Sequence, residues 1–293
     1  MNLTLTVLEI VAPVFLLAGI GFAWVKLGFE YRIQFVTQLA MTLSVPCLIF
    51  VSLMNTQIDP AALTALSLAT VVAYGGVTLV AAAIVWGMGL NRRTYLAPLI
   101  FGNTGNLGLP LALFAFGDAG LSYAVVVFAV MAIWSFTFGI WLVAGAGSFG
   151  KVVREPLVWG TLLGALFLVQ GWQTPKFMTN TLTLLGQMAI PMMLITLGVA
   201  VARLTPGGVG RAVVLSAIKL VICVAIAWAA GVYFALDRTA LGVLVLQVAT
   251  PVAVTSYLLA EKYGADAQSV AGLVVVSTLM SVAALPILLA FLL

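Results

Sequence analysis

The amino-acid sequence predicts an all-α membrane protein: ten transmembrane helices in two inverted five-helix repeats, with helices 4 and 9 broken and crossing at mid-membrane. Three observations predict it. Of 293 residues, 64% are hydrophobic and only 7% charged, against about a quarter charged in a soluble domain. Charge-free stretches at 33–58, 60–91, 94–117, 119–150, 156–175, 177–202, 239–260 and 267–293 each hold at least the ~20 residues that cross a bilayer as helix. Finally, landmarks recur at an offset near 145: Arg93 and Arg238, Thr94 and Thr239, and Pro46 and Pro191, with Pro13 and Pro156 at 143. Five helices per repeat is an odd number, so the second copy enters the membrane from the opposite side.

The segments follow from apolar runs and their punctuation. Segment 1 (4–27) has no basic region ahead of its apolar run and reads as a retained helix rather than a signal peptide. Segments 2 (33–54) and 7 (177–201) carry Pro46 and Pro191 mid-span, where a proline kinks a helix. Segments 3 (61–89) and 8 (210–235) carry Tyr74 and Lys219, repeat mates at the same offset. Segments 4 (94–116) and 9 (239–262) hold the breaks. Segments 5 (120–146), 6 (155–171) and 10 (266–292) complete the set, and Gly160 with Gly164 gives segment 6 a small-residue packing face. The repeats divide the chain into 1–148 and 149–293.

Charge placement gives the orientation. Lys26, Arg32, Arg92, Arg93, Lys151, Arg154, Arg203, Arg211 and Lys262 fall in loops on one side, and only Lys176 and Arg238 on the other. By the positive-inside rule the richer side is cytoplasmic and both termini face out. The net charge of +4 is then a matter of topology and does not point to a nucleic acid. The absence of His excludes an imidazole base, a zincin site and a Ser-His-Asp triad, and with them most enzyme chemistry. Cys47 and Cys223 lie in apolar helical runs and read as packing residues. Glycines 102, 105 and 108 lack the preceding strand and the GK[ST] of a phosphate loop, so no ATP site, cofactor or metal is expected.

The break in segment 4 reads Phe101-Gly102-Asn103-Thr104-Gly105-Asn106-Leu107-Gly108-Leu109-Pro110, and that in segment 9 reads Gln247-Val248-Ala249-Thr250-Pro251. Three glycines, two asparagines and a proline do not sustain a helix, and irregular backbone at that depth must be buried in protein or line a cavity. Broken helices present free N–H groups that suit a carboxylate and free carbonyls that suit a cation. Asn103, Thr104, Gly105, Asn106, Gln247, Thr250 and Pro251 are therefore the substrate-binding candidates. By the 145 offset, Asn106 matches Pro251. A purely structural reading, in which these residues only cap half-helices and let them pack, stands beside it.

Those two motifs, with Tyr263-Gly264-Ala265-Asp266 closing segment 9, resemble the auxin efflux carrier family, here in its bacterial form without a long central loop. The family includes plant auxin exporters and carriers for malonate or malate. The resemblance implies a fold like that of the bile acid–sodium symporters. Segments 1, 2, 6 and 7 would form a scaffold, often dimeric, and segments 3–5 and 8–10 a transport domain moving as an elevator. It also implies a substrate beside Asn103 and Asn106, against the scaffold near Pro46 and Pro191.

Two isolated charges bear on coupling. Lys219 lies eight residues past Arg211, about 12 Å into a half-layer of ~15 Å. It either pairs with a substrate carboxylate or stands in for a coupling cation, or else snorkels toward the cytoplasm. Glu9, near the outer end of segment 1, is either solvated or a proton-coupling group. The expected function is secondary transport of a small organic anion across a cytoplasmic membrane, with H+, Na+ or no ion as coupling partner; the alternative is a passive anion channel on the same fold.

Overall fold

The computed structural model describes residues 3–56, 58–144 and 156–293; Lys151, Arg154 and the 148/149 repeat boundary lie outside them. The described residues form helices α1 (Leu3–Lys26), α2 (Ile33–Asn55), α3 (Pro60–Gly87), α4 (Arg92–Ile100), α5 (Thr104–Val143), α6 (Pro156–Gln170), α7 (Lys176–Arg203), α8 (Val209–Tyr233), α9 (Arg238–Val248), α10 (Val254–Lys262) and α11 (Ala267–Leu292). Seven of them, α1, α2, α3, α5, α7, α8 and α11, are long and apolar enough to cross a membrane, while α6 and α9 are shorter apolar helices. Among the described residues the only β pairing is one isolated bridge between Gly102 and Val252. Side chains such as Leu79, Trp86, Phe177 and Phe291 lie exposed on the outside of the bundle, as lipid-facing groups do.

Helix starts are set by side-chain caps. Asp59 accepts from the Ala61 N–H, Asn91 from Arg93, Asp237 from Thr239 and Ala240, and Asp266 from Ser269, at 2.9–3.0 Å. The boundary expected between segments 4 and 5 is a single residue rather than a loop. Gly117 adopts φ 67°, ψ −157° inside α5, a conformation that only glycine takes readily, and Asp118 follows it. In α2 the strain of Pro46 appears upstream, as a π-helical turn over Ala40–Ser44. Proline lacks an N–H and crowds the carbonyl four residues back, and a wider turn accommodates both.

Packing sorts the helices into two groups. In one, α1 lies along the second half of α7 and α6 along the second half of α2, with the first half of α7 also on α2. In the other, α8 packs on α3, α9 and α11, and α5 packs on α3 and α9. Glycines set the close approaches in the first group. A Cβ on Gly198 would overlap the Ala18 carbonyl, and one on Gly160 would sit 2.8 Å from the Pro46 carbonyl oxygen. The small-residue face read on segment 6 is thus where α6 meets α2.

The basic loop residues gather helix ends. Arg93 donates to the carbonyls of Val143 and Tyr263, both at 3.0 Å, and Arg203 to that of Tyr31 at 2.7 Å. Arg211 donates to the Tyr95 hydroxyl at 3.1 Å. Arg238 reaches instead the carbonyl of Leu293.

Candidate functional site

Two interruptions of helical geometry, at Phe101–Asn103 between α4 and α5 and at Ala249–Ala253 between α9 and α10, face each other. The Asn103 N–H donates to the Pro251 carbonyl at 2.7 Å and the Ala253 N–H to the Phe101 carbonyl at 3.3 Å, flanking the Gly102–Val252 bridge. Gly102 is required here because a Cβ would overlap the Thr250 hydroxyl and come 3.1 Å from the Thr250 carbonyl oxygen. Across this bridge Gly102 faces Val252 and Asn103 meets Pro251.

Both helices that leave the crossover begin with free donors. The Leu107 and Gly108 N–H groups turn back to the Asn103 carbonyl, at 3.1 and 3.2 Å, which leaves the N–H groups of Thr104, Gly105 and Asn106 without an intrahelical acceptor. Likewise Ser256 is bonded to the Ala253 carbonyl at 3.0 Å, while Val254 and Thr255 open α10 ahead of it.

These two N-termini line one cavity of about 250 Å³. Its polar groups come from Asn103, Asn106, Ser135 and Thr255, and its apolar wall from Phe101, Phe128, Met131, Leu258 and Leu259, with Met41 contributed by α2. No charged side chain lines it. A helix N-terminus carries partial positive charge and free N–H groups, so two that converge attract an anion without a cationic residue.

Several buried polar atoms around the crossover have no partner. They include Asn103 Nδ2, Thr104 Oγ1 and Gln247 Oε1, on residues that are at most 5% exposed. A buried unsatisfied group is costly, and Asn103 can donate into the cavity that it lines. Gln247 and Thr250 lie behind the crossover. Gln247 Nε2 donates to the Ala124 carbonyl at 3.5 Å, and the Thr250 hydroxyl to the Gln247 carbonyl at 2.7 Å.

Of the sequence candidates, Asn103, Gly105 and Asn106 line the cavity, whereas Thr104, Gln247, Thr250 and Pro251 do not. Pro46 and Pro191 are outside it too: Pro46 packs on Gly160, and Pro191 is exposed on α7. The cavity residue from the first packing group is Met41, in the π turn just before Pro46. Sequence reasoning also missed Phe128, Met131 and Thr255. Their helical spacing resembles any apolar span, so nothing in the sequence separates them from lipid-facing residues. Ser277 was missed as well; its hydroxyl accepts the Val252 N–H at 3.0 Å and anchors the second break.

Lys219 is 4% exposed and does not reach the surface. Its ammonium donates to the Leu99 carbonyl, 3.3 Å away at the open end of α4, and lies 3.7 Å from Cys223 Sγ. That geometry is not snorkelling: a cation meets the negative end of a half-helix. Tyr74 is fully buried with an unpartnered hydroxyl. Glu9 is exposed on α1.

A second, larger cavity of about 700 Å³ lies at the other end of the bundle. α2 contributes Ser52 and Asn55 to it, α5 Asp118 and Ser122, and α7 Thr183 and Gln187. Ser52 and Ser122 share a hydrogen bond of 3.4 Å.

A family model described as a membrane transport protein matches residues 6–152 and again 148–289. An uncharacterized transporter of Methanothermobacter thermautotrophicus is 28% identical over 194 residues, which are 63% of this chain and 63% of that protein. One of Methanocaldococcus jannaschii is 24% identical over 196 residues, 62% of each chain. The matches thus span less than two thirds of either relative, and both of these are archaeal rather than bacterial.

Proposed function

We propose, on the premise that the chain belongs to the membrane transport protein family, the auxin efflux carriers that its crossover resembles, that it carries a small organic anion with its carboxylate held between the two half-helix N-termini. Members are multi-pass transporters and not enzymes. One observation carries the reading: the free N–H ends at Gly105–Asn106 and Val254–Thr255 converge on a single uncharged cavity of about 250 Å³. The wall of aromatic, Met and Leu side chains favours an acid with one carboxylate and an apolar body. The second carboxylate of a malate or malonate would be buried there without a partner, at a cost.

The finer architecture belongs to the same proposal. Ten spans result when Gly117 divides α5, α4 and α10 complete the broken spans, and α6 is counted. The family model's matches to two successive stretches and the crossing breaks support two inverted five-helix repeats. The α1, α2, α6 and α7 group is the scaffold and the site through which two copies pair, and the other group is the transport domain. The chain sits in the cytoplasmic membrane with its Arg93, Arg203 and Arg211 end inside. The cavities of about 250 and 700 Å³ at opposite ends of the bundle support alternating access by an elevator motion that breaks the Ser52–Ser122 contact. Lys219 acts as a fixed cation at the α4 end, so sodium is not required.

The test is a thermal-shift and transport series with organic acids. A ligand that binds the folded state raises its apparent stability. Aromatic or branched monocarboxylates are expected to stabilise the protein, and dicarboxylates of similar size not to. Saturable uptake with counterflow supports a carrier; conductance at channel rates would replace it with the passive channel.

A further inference from the structure

Three of the four aspartates begin helices: Asp59, Asp237 and Asp266 each accept a backbone N–H at 2.9–3.0 Å. Asp118 does not. It follows Gly117, whose φ of 67° turns the chain inside α5, and among the described residues no hydrogen bond or ion pair engages its carboxylate. It is exposed, and it lines the cavity of about 700 Å³ between α2, α5 and α7. No other charged side chain lines that cavity; its remaining polar groups, Ser52, Asn55, Ser122 and Gln187 among them, are neutral.

The two cavities lie along one seam. α2 gives Met41 to the smaller and Ser52 and Asn55 to the larger, and α5 gives Phe128 and Met131 to the smaller and Asp118 and Ser122 to the larger. Along α5, Asp118 and Phe128 stand about 15 Å apart at 1.5 Å per residue. The signs of the two cavities are opposite. Converging helix N-termini make the smaller one attractive to an anion, whereas a lone carboxylate makes the larger one repel it. Low-dielectric walls focus such a field on whatever enters.

We propose that Asp118 keeps organic anions from settling in the larger cavity, so that an acid carried by the protein leaves through that mouth more readily than it enters. The direction rests on the transport reading; the sign of the cavity does not. Two unit charges ~7 Å apart in water repel enough to change a binding constant about threefold. At ~15 Å, past the Debye length of ~8 Å, the smaller cavity is screened from Asp118. A fixed charge moves no equilibrium between two bulk solutions. The asymmetry is therefore confined to half-saturation, with more acid needed on the side that the larger cavity opens to.

The first experiment reads the charge without any transported substrate. Asn55→Cys puts a thiol in the wall of the larger cavity of the purified full chain. Cys47 and Cys223 are buried, and the chain without Asn55→Cys gives the background. The thiol's reaction rates with a sulfonate-bearing and a trimethylammonium-bearing methanethiosulfonate are compared as a ratio, which cancels changes in the thiol itself. Asp118→Asn should raise the anionic-to-cationic ratio about tenfold, roughly threefold from each reagent. Asp118→Glu should keep the wild-type ratio, and about 1 M salt, with a Debye length of ~3 Å, should shrink the difference. An unchanged ratio in Asp118→Asn overturns the proposal, and so does an equal rise in Asp118→Glu, which would show shape rather than charge at work. In sealed vesicles of both orientations, Asp118→Asn should lower the half-saturating benzoate concentration about threefold on the larger cavity's side and leave the other side unchanged. Equal values for wild type and Asp118→Asn on that side overturn the directional bias. If the reagent ratio responds but no organic acid is carried from either side, the transport reading falls and the cavity's charge stands.

Discussion

The two breaks solve one geometrical problem with opposite chemistry. At the second, the turn itself is tied down: the Thr250 hydroxyl and N–H both return to the Gln247 carbonyl, and Ser277 takes the Val252 N–H. At the first, Asn103 Nδ2 and Thr104 Oγ1 are unclaimed, and the open carbonyl end of α4 is met by a distant lysine. The second break is a self-contained anchor and the first is left available. A site needs both, because free polar groups stay aimed only when held against something rigid.

The sharpest way to break this contrast is to add one carbon at the point of contact. Gly102→Ala places a Cβ against the Thr250 hydroxyl and carbonyl, and at least one of these is backbone that cannot swing aside. Overpacking of this kind costs about 1–3 kcal/mol, and here it should also part the crossover, so the expected outcome is loss of folded protein by size-exclusion and thermal melt. Gly105→Ala is the control. Its Cβ meets only the edge of the Phe128 ring at 3.2 Å, so the fold survives and only ligand affinity shifts.

Next in size is the division of labour. Asn103→Ala and Asn106→Ala remove side chains from the cavity wall and should weaken organic-acid binding by about tenfold or more each, as hydrogen bonds to charged groups do, with little change in melting temperature. Thr250→Val should do the reverse. It removes the cap on α9, costs about 1 kcal/mol of stability, and leaves affinity near wild type. If Thr250→Val abolished binding while Asn103→Ala did not, the roles of the two breaks would be exchanged.

Much of the fold was legible in the sequence because lipid imposes a length on apolar runs, and because Gly, Asn and Pro interrupt helices by local means. The breaks near Gly102 and Pro251 and the Asp237 and Asp266 caps are of this kind. Which residues meet across the crossover, Gly102 with Val252 and Asn103 with Pro251, was not legible, because a repeat offset names equivalent positions and not contacts. Pro46 and the glycines at 102–108 marked disturbed helix, but nothing in the sequence specified that Ala40–Ser44 and Thr104–Gly108 would be π turns. Nor did anything specify the lining by Met41, Phe128 and Thr255, since which face of an apolar helix meets a cavity is decided by its neighbours. The unclaimed atoms of Asn103 and Thr104 were likewise out of reach, because satisfaction depends on contacts far apart in the chain.

The smallest expected effect compares two of the positive-φ glycines that stand just ahead of an acidic residue, Gly117 and Gly264. After Gly117, Asp118 is exposed and caps nothing among the described residues. After Gly264, Asp266 accepts from the Ser269 hydroxyl at 2.6 Å and its N–H at 3.0 Å. Those bonds, the hydroxyl's foremost, hold the Asp266 carboxyl below its ordinary 3.8. A carboxyl depressed by folding contributes stability above its unfolded value, and that contribution is lost as pH falls through the folded one. Melting temperature should therefore decline below pH 3.8 in the wild type in part through Asp266. Asp266→Asn keeps a capping oxygen and should flatten that part of the profile, whereas Asp266→Ala costs about 0.5–1 kcal/mol at neutral pH. Exposure to water keeps both effects small. Asp118→Ala, with no cap to lose, should leave the melt and its pH profile unchanged, and a loss equal to that of Asp266→Ala would show that the two turns are built alike.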